Sequence, residues 1–281
     1  MTTALQSSAT GISLSIVVFR TPLEQLKCAV ESAFLALKVA GLEADSKITV
    51  VDNGDGSDRA EEQLLPLAER LEGAGCRLDF LQGHGNIGYG AAHNLAFEQG
   101  HRPLHVFMNP DVELDSQVFV HGSAYFEENA DVAMISPEAY DCLGNRQFLC
   151  KRYPAVFDLF LRGFGPYFIK KYFSQRLAHY EMRELNFVSG ARKDVSIISG
   201  CFMFCRSDNI RQVGGFDTSF FLYFEDFDLS LRVGRYAKLA YVPCMKIRHD
   251  GGNSARKGAA HIVMFMRSAY RFFSLHGWCW I

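Results

Sequence analysis

Five short clusters along this chain carry side chains that could do chemistry together. Asp52-Asn53-Gly54 follows the apolar run KITVV. At a strand end such a carboxylate can accept the ring N–H of uracil or thymine, while short neighbours let the base approach the backbone. Asn86-Ile87-Gly88-Tyr89-Gly90, with Asn94 shortly after, sets glycines ahead of a helix whose first amides are open to ribose and phosphate oxygens. Asn109-Pro110-Asp111 follows LHVFM, and a carboxylate there can hold Mg²⁺ or Mn²⁺, ions that take further ligands from water and substrate phosphates. Glu225-Asp226-Phe227-Asp228 sets carboxylates among Phe220, Phe221, Tyr223 and Phe224. An aromatic surround desolvates a carboxylate and suits Asp226, with Glu225 beside it, to general-base work. His249 is followed by Asp250, two glycines, Arg256 and Lys257, a set that could hold a metal-bound diphosphate and neutralise its departure.

Each cluster has a plainer reading as well. Asp52-Asn53 and Asn109-Pro110-Asp111 can both be Asx-type turns, and glycine runs are often only loops. Glu113 and Asp115 alternate with Asp111 and could add charge, though Asp115 reads better as a helix cap. Acidic residues at a helix start also answer the macrodipole, and Asp228, two residues beyond Asp226, leaves a helix on a different side. A lone histidine is more often structural than a ligand.

The elements that would position these groups alternate at short spacing. Residues 13–19 form a β-branched apolar run with Pro22 just behind it, which reads as strand, turn, helix. Strands are expected at 47–51, 76–81 and 104–108, with helices at 58–72 and 91–99. This rhythm predicts an α/β fold: a mainly parallel, Rossmann-like sheet with helices on both faces, binding ligands beyond the carboxyl ends of its strands. Asp52, Asn86 and Asp111 all fall at such ends. After residue 150 come an aromatic, basic stretch at 157–180, a strand at 195–205, and the turn GGFD leading into the acidic helix. The expected organisation is a loose tail at 1–12, a catalytic body at 13–255 and a C-terminal helical segment at 256–281. Within the body a nucleotide half (13–115) precedes an acceptor half (116–255).

With 48% hydrophobic and 21% charged residues among 281, the chain can bury a large core. Its net charge of −2 supplies no general field for gathering nucleic acid. Eight cysteines without a CxxC pair, and no basic-then-apolar leader, point to a reducing cytoplasm. Arg, Lys or His interrupts every candidate membrane span. The aromatic, basic segments 157–180 and 261–280 read either as core-facing helices or as a peripheral surface approaching the inner face of a membrane. Trp278 and Trp280 could instead dock on a second copy in a homodimer.

Taken in order, VVDNGDGSD, NIGYGAAHNLA, FMNPDVELD, ISGCFMFCR, GGFDTSFFLYFEDFDLSLR and IRHDGGNSAR resemble the family 2 glycosyltransferases, in particular their bacterial rhamnosyltransferase-like branch. The resemblance covers about residues 13–255, and six motifs in the right order carry it beyond fold analogy. It implies a GT-A fold and an inverting enzyme that uses a nucleotide-sugar donor. On this likeness Asp52 and Asn53 meet the nucleobase, and Asn86, Gly88, Asn94 and Asn109 the nucleotide. Gly200 lines the donor-sugar pocket, and Asp111 with His249 holds the metal. His249, Arg256 and Lys257 face the diphosphate, and Asp226 is the base. The family's DxD is here Asn109-Pro110-Asp111, one carboxylate fewer, which gives Arg256 and Lys257 a larger share of the leaving charge. The branch implies L-rhamnose from dTDP-L-rhamnose and a glycan or lipid-linked glycan acceptor such as lipopolysaccharide, O-antigen or capsule. A UDP-hexose or UDP-N-acetylhexosamine donor is the alternative within the fold. Two rivals come from other classes. A nucleotidyltransferase would need a glycine-rich, Arg- and Lys-bearing triphosphate loop near the N-terminus, which the sequence lacks. A non-catalytic sugar-binding module would have no need of the Glu225-Asp226 pair.

Overall fold

The computed structural model describes residues 11–54, 60–187, 190–251 and 258–281. Strands β1 (Ile12–Val18), β2 (Lys47–Asp52), β3 (Arg77–Leu81) and β4 (Leu104–Met108) alternate with helices α1 (Leu23–Val39), α2 (Ala60–Gly73) and α3 (Tyr89–Glu98). The four strands are parallel neighbours in the order β3-β2-β1-β4. The period of two along β1 assigns its faces. Ile12, Leu14, Ile16 and Val18 pack with Leu26 and Val30 of α1 and Leu64 of α2. Val17 joins Val51, Ala92 and Ala96 against α3.

On the α3 face, Ser13 and Ser15 replace aliphatic residues. Ser15 Oγ lies 2.7 Å from His93 Nδ1 and 2.9 Å from His105 Nε2, and Ser13 Oγ lies 2.6 Å from His105 Nδ1. Full burial drives His93 down to about 3, so the ring is neutral at physiological pH. It packs edge-on against Tyr89, with centroids 4.4 Å apart.

The second half is built from β5 (Val112–Leu114), α4 (Val118–Glu128), β6 (Val132–Tyr140), β7 (Arg146–Gln147), β8 (Cys150–Lys151), α5 (Val156–Phe164), α6 (Tyr167–Tyr172) and α7 (Ser174–Tyr180). Then follow β9 (Arg192–Val195), β10 (Ile197–Ile198), β11 (Phe202–Arg206), α8 (Ser207–Gln212), α9 (Glu225–Val233), β12 (Lys238–His249) and α10 (Ala259–His276). The sheet continues beyond β4 as β11-β6-β12-β5. β11 runs antiparallel to both β4 and β6, while β12 is parallel to β6 and antiparallel to β5. The parallel pattern of the first half therefore gives way to a mixed sheet.

The strand expected at 195–205 is three separate pieces. β10 leaves the main sheet to pair with β8, and the chain crosses Ser199-Gly200 before β11 re-enters it. Helix α3 starts at Tyr89, earlier than the expected 91, because Gly88 caps it with φ 94°. Among the described residues no helix is long and apolar enough to cross a membrane.

Candidate active site

The carboxyl ends of β1, β2 and β4 and the start of α9 converge on one cleft. Asp52 ends β2, buried, and its Oδ1 accepts from Gly54 N at 2.9 Å, so the Asx turn is formed. Its buried Oδ2 has no hydrogen-bond partner among the described residues. A buried acceptor left over in this way suits a donor arriving with a ligand, and the ring N–H of a pyrimidine is such a donor.

Asn53 is taken up internally. Its Nδ2 donates to Asn86 Oδ1 (3.1 Å) and Gly88 O (3.3 Å), and its Oδ1 accepts from Ile87 N (3.0 Å). It shapes the 86–88 loop from beneath. Gly88 is required twice over, by its positive φ and because a Cβ there would come within 2.6 Å of Phe221 O. Tyr89 N donates to the same Phe221 carbonyl at 3.0 Å, which fastens the glycine loop to the loop ahead of α9. Asn94 has a different task from the nucleotide contact expected of it. Its amide exchanges two 2.9 Å bonds with the backbone of Phe216 and pins the GGFD turn, which leaves the side chain committed to protein.

Asp226 sits in the first turn of α9, half-buried, with Oδ2 accepting from Gly200 N at 2.8 Å and Oδ1 from Phe227 N at 3.0 Å. Burial pushes its pKa upward; the Gly200 amide and the nearby Lys151 pull it back. Glu225, one residue earlier, is buried outright with Oε2 unpartnered. Desolvation, followed by repulsion from Asp226, drives its pKa well above the ordinary carboxylate value. Asp228 faces elsewhere and is structural: Arg232 Nε bonds it at 2.7 Å and His276 Nε2 at 2.9 Å.

Gly200 meets both sides of the site. A Cβ there would lie 3.2 Å from Asp226 Cβ and 3.5 Å from Tyr89 Cε1. The Tyr89 hydroxyl reaches Gly200 O at 2.7 Å and the Asn109 side-chain oxygen at 2.8 Å, so Asn109 is held by protein, and Asp111 two residues on acts electrostatically on the same Tyr89.

Antiparallel pairing sets His249 of β12 opposite Val112 of β5, and Asp250 N bonds Asp111 O at 3.1 Å. Nε2 of His249 thereby lies 3.5 Å from Asp111 Oδ1. Gln147 Oε1 lies 2.6 Å from His249 Nδ1 and orients the ring; with the proton on Nδ1, Nε2 would be the nitrogen open to an ion. Glu113 pairs instead with Arg248, and Asp115 Oδ1 takes Gln117 N at 2.9 Å ahead of α4. Among the described residues no group of three His, Cys, Asp or Glu side chains could enclose a metal ion. One carboxylate and one imidazole fit an ion that is otherwise held by water and diphosphate oxygens. Arg256 and Lys257 lie outside the described residues.

Three residues that the motifs did not single out belong to this cleft: Tyr89, Gln147 and Lys151. The first sat in plain view inside the glycine loop. The other two lie on two-residue strands too short to read from the sequence, β7 paired with the preceding β6 and β8 with the distant β10.

The fold is that of the GT-A glycosyltransferases. A crystal structure of GalNAc-T7 with UDP, GalNAc and Mn²⁺ matches 95% of this chain and 48% of its own, with TM-score 0.65 and 12% identity. The structure of S. aureus TarS 1–349 matches 95% of this chain and 74% of its own, with TM-score 0.56 and 13% identity. In sequence, no family model matches. Over 84 residues, 29% of the chain, it is 36% identical to the N-acetylglucosaminyl-diphospho-decaprenol L-rhamnosyltransferase of Mycobacterium tuberculosis, strains CDC 1551 / Oshkosh and ATCC 25618 / H37Rv. The matched stretch spans 27% of those relatives' length. Fold and partial likeness agree with the resemblance to family 2 glycosyltransferases carried by the motifs.

Proposed function

We propose that the chain is an inverting glycosyltransferase that moves a sugar from a pyrimidine nucleoside diphosphate to a hydroxyl of a glycan acceptor. The observation that carries this is the half-buried Asp226 carboxylate, held by two backbone amides beside the buried Glu225, with Asp111 near the same Tyr89 and Cys201 and 3.5 Å from His249. In the reaction Asp226 takes the proton of the acceptor hydroxyl as that oxygen attacks the anomeric carbon. The bond from that carbon to the diphosphate oxygen breaks, the nucleoside diphosphate leaves with the electron pair, and configuration inverts. Asp52 Oδ2 receives the pyrimidine ring N–H, and Gly200 leaves room for the sugar. Asp111 and His249 would hold Mg²⁺ or Mn²⁺, which supplies charge to the departing diphosphate. Arg256 and Lys257 add to that charge.

The proposed donor is dTDP-L-rhamnose, supported by the name of the partial M. tuberculosis relative. The proposed acceptor is a lipid-linked or growing cell-surface glycan, met at the cytoplasmic face of the membrane. A second reading has a UDP-hexose or UDP-N-acetylhexosamine as donor. A ring N–H is common to uracil and thymine, so Asp52 serves either base, and the GalNAc-T7 structure holds UDP and GalNAc. The test is transfer from each donor by wild type and Asp226→Asn. The variant should lose roughly 10²- to 10⁴-fold in turnover while binding the nucleotide as before. Full activity in Asp226→Asn would remove Asp226 from the chemistry.

A further inference from the structure

Helix α10 is apolar on both sides. Ala269, Phe272 and Phe273 are buried on its inner side against Phe220 and Phe224. Its outer side carries Val263, Met266 and Tyr270 at 66%, 56% and 67% exposure, with Arg267 one turn beyond Val263. A surface helix of a water-soluble body ordinarily turns polar residues outward. The outward apolar face continues onto a second element through direct contacts. Tyr270 packs on Trp278 and Trp278 stacks on Trp280. The Trp280 carbonyl takes Phe157 N, and Phe157 packs on Phe173, which packs on Tyr172. Beside these lie Tyr167 and Phe168 of α6, with Tyr167 and Tyr172 more than 80% exposed.

The charge carried by these two segments themselves has one sign, with Arg271 paired at 3.1 Å to Asp217 from the loop ahead of α9. Residues 166–180 contain Lys170, Lys171 and Arg176 and no acid, and residues 259–281 contain Arg267 and Arg271 and no acid, in a chain that carries two more acids than bases. Asp158 of α5 is buried against Arg176. Pairing two copies through this face would set cation against cation. An anionic lipid surface matches both its charge and its Trp- and Tyr-rich apolar character.

We propose that α6, the outer face of α10 and the Trp278–Trp280 turn form one docking surface for an anionic bilayer, with aromatic side chains in the interface and Lys171 and Arg267 among the headgroups. The surface lies behind the catalytic helix: Ser268 Oγ bonds Leu222 O at 2.8 Å, and Tyr223 OH lies 3.0 Å from His261 Nδ1.

Flotation with phosphatidylcholine vesicles, with and without phosphatidylglycerol, tests this without turnover and so stands apart from the transferase reading. Wild type should float with the anionic vesicles at low salt, and the binding should fall as salt screens it. Lys171→Gln with Arg267→Gln should bind about thirtyfold more weakly, near 1 kcal/mol per cation. Val263→Ser with Met266→Ser should lose binding at unchanged melting temperature. The proposal is overturned if wild type stays with the unbound fraction or if both pairs bind like wild type. It is overturned equally if light scattering finds a dimer that Met266→Ser dissociates, since a second copy would then be the occupant.

Discussion

Asp226 and Glu225 stand next to each other, and burial raises both; Glu225 has only its own backbone amide to oppose this, whereas Asp226 has the Gly200 and Phe227 amides and the charge of Lys151. Lys151 of β8 is itself buried, bonded through Nζ to Phe148 O at 3.2 Å. Burial brings it down to about 8, so it is cationic at neutral pH and below. Its strand pairs with β10, whose Ile198 bonds Ser230 of α9, one turn beyond Asp226. Tyr89 from α3, Tyr180 from α7 and Cys201 after β10 also face Asp226, and all three are neutral because burial lifts their pKa values. Lys151 is therefore the cation among the groups identified around this carboxylate. Catalysis needs the ionised carboxylate, so kcat/KM should rise with pH through Asp226's elevated pKa. In Lys151→Met that rising limb should move to higher pH, with Lys151→Arg restoring part of the shift. An unmoved limb in the methionine variant would relegate Lys151 to packing. Asp226 was legible because three carboxylates among phenylalanines have no bland explanation for all of them. Lys151 was not, because its burial arises from a pairing with residues almost fifty positions away.

At the scale of elements, α9 is placed by what surrounds it. Tyr223 and Phe224 enter it with φ of 72° and 67°, a conformation unfavourable for aromatic residues. The structure holds them there through Ser268, His261 and the α10 aromatics. Asp228 locks the arrangement by joining Arg232 of its own helix to His276 of α10. Removing one partner of a buried ionic group costs roughly 3–5 kcal/mol. Asp228→Ala should accordingly lower stability by that order in urea denaturation, whereas Asp226→Asn, altering a half-exposed group, should change it little. Equal losses in the two would undo the division of labour between these carboxylates. The first four strands were readable because β1, β2 and β4 are apolar runs that end ahead of turn residues and β3 alternates apolar with charged residues before Gln82-Gly83. The insertion of β11 antiparallel between β4 and β6 was not, because the sequence of a central strand fixes its apolar character but not its direction. Ser199-Gly200 broke an apparently continuous strand for a tertiary reason: Gly200 N is needed by Asp226.

For the molecule as a whole, one end of the sheet gathers Asp52 with its unpartnered Oδ2, the Gly88 loop, Asp111 with His249, and Asp226. Helix α10 packs behind α9 and the loop that leads into it. The passage from a parallel first half to a mixed second half was visible in part as the change of rhythm near residue 150. The hold of α10 on that helix was not, since Asp228–His276 and Ser268–Leu222 join residues that sequence spacing does not relate. The measurement that tests the central claim most directly is calorimetric titration with dTDP, UDP and GDP, each with and without Mn²⁺. The site described here predicts binding of dTDP or UDP that strengthens with Mn²⁺, is weaker for GDP and is lost in Asp52→Ala. No binding of any of the three nucleotides would contradict the nucleotide site and the transferase reading with it.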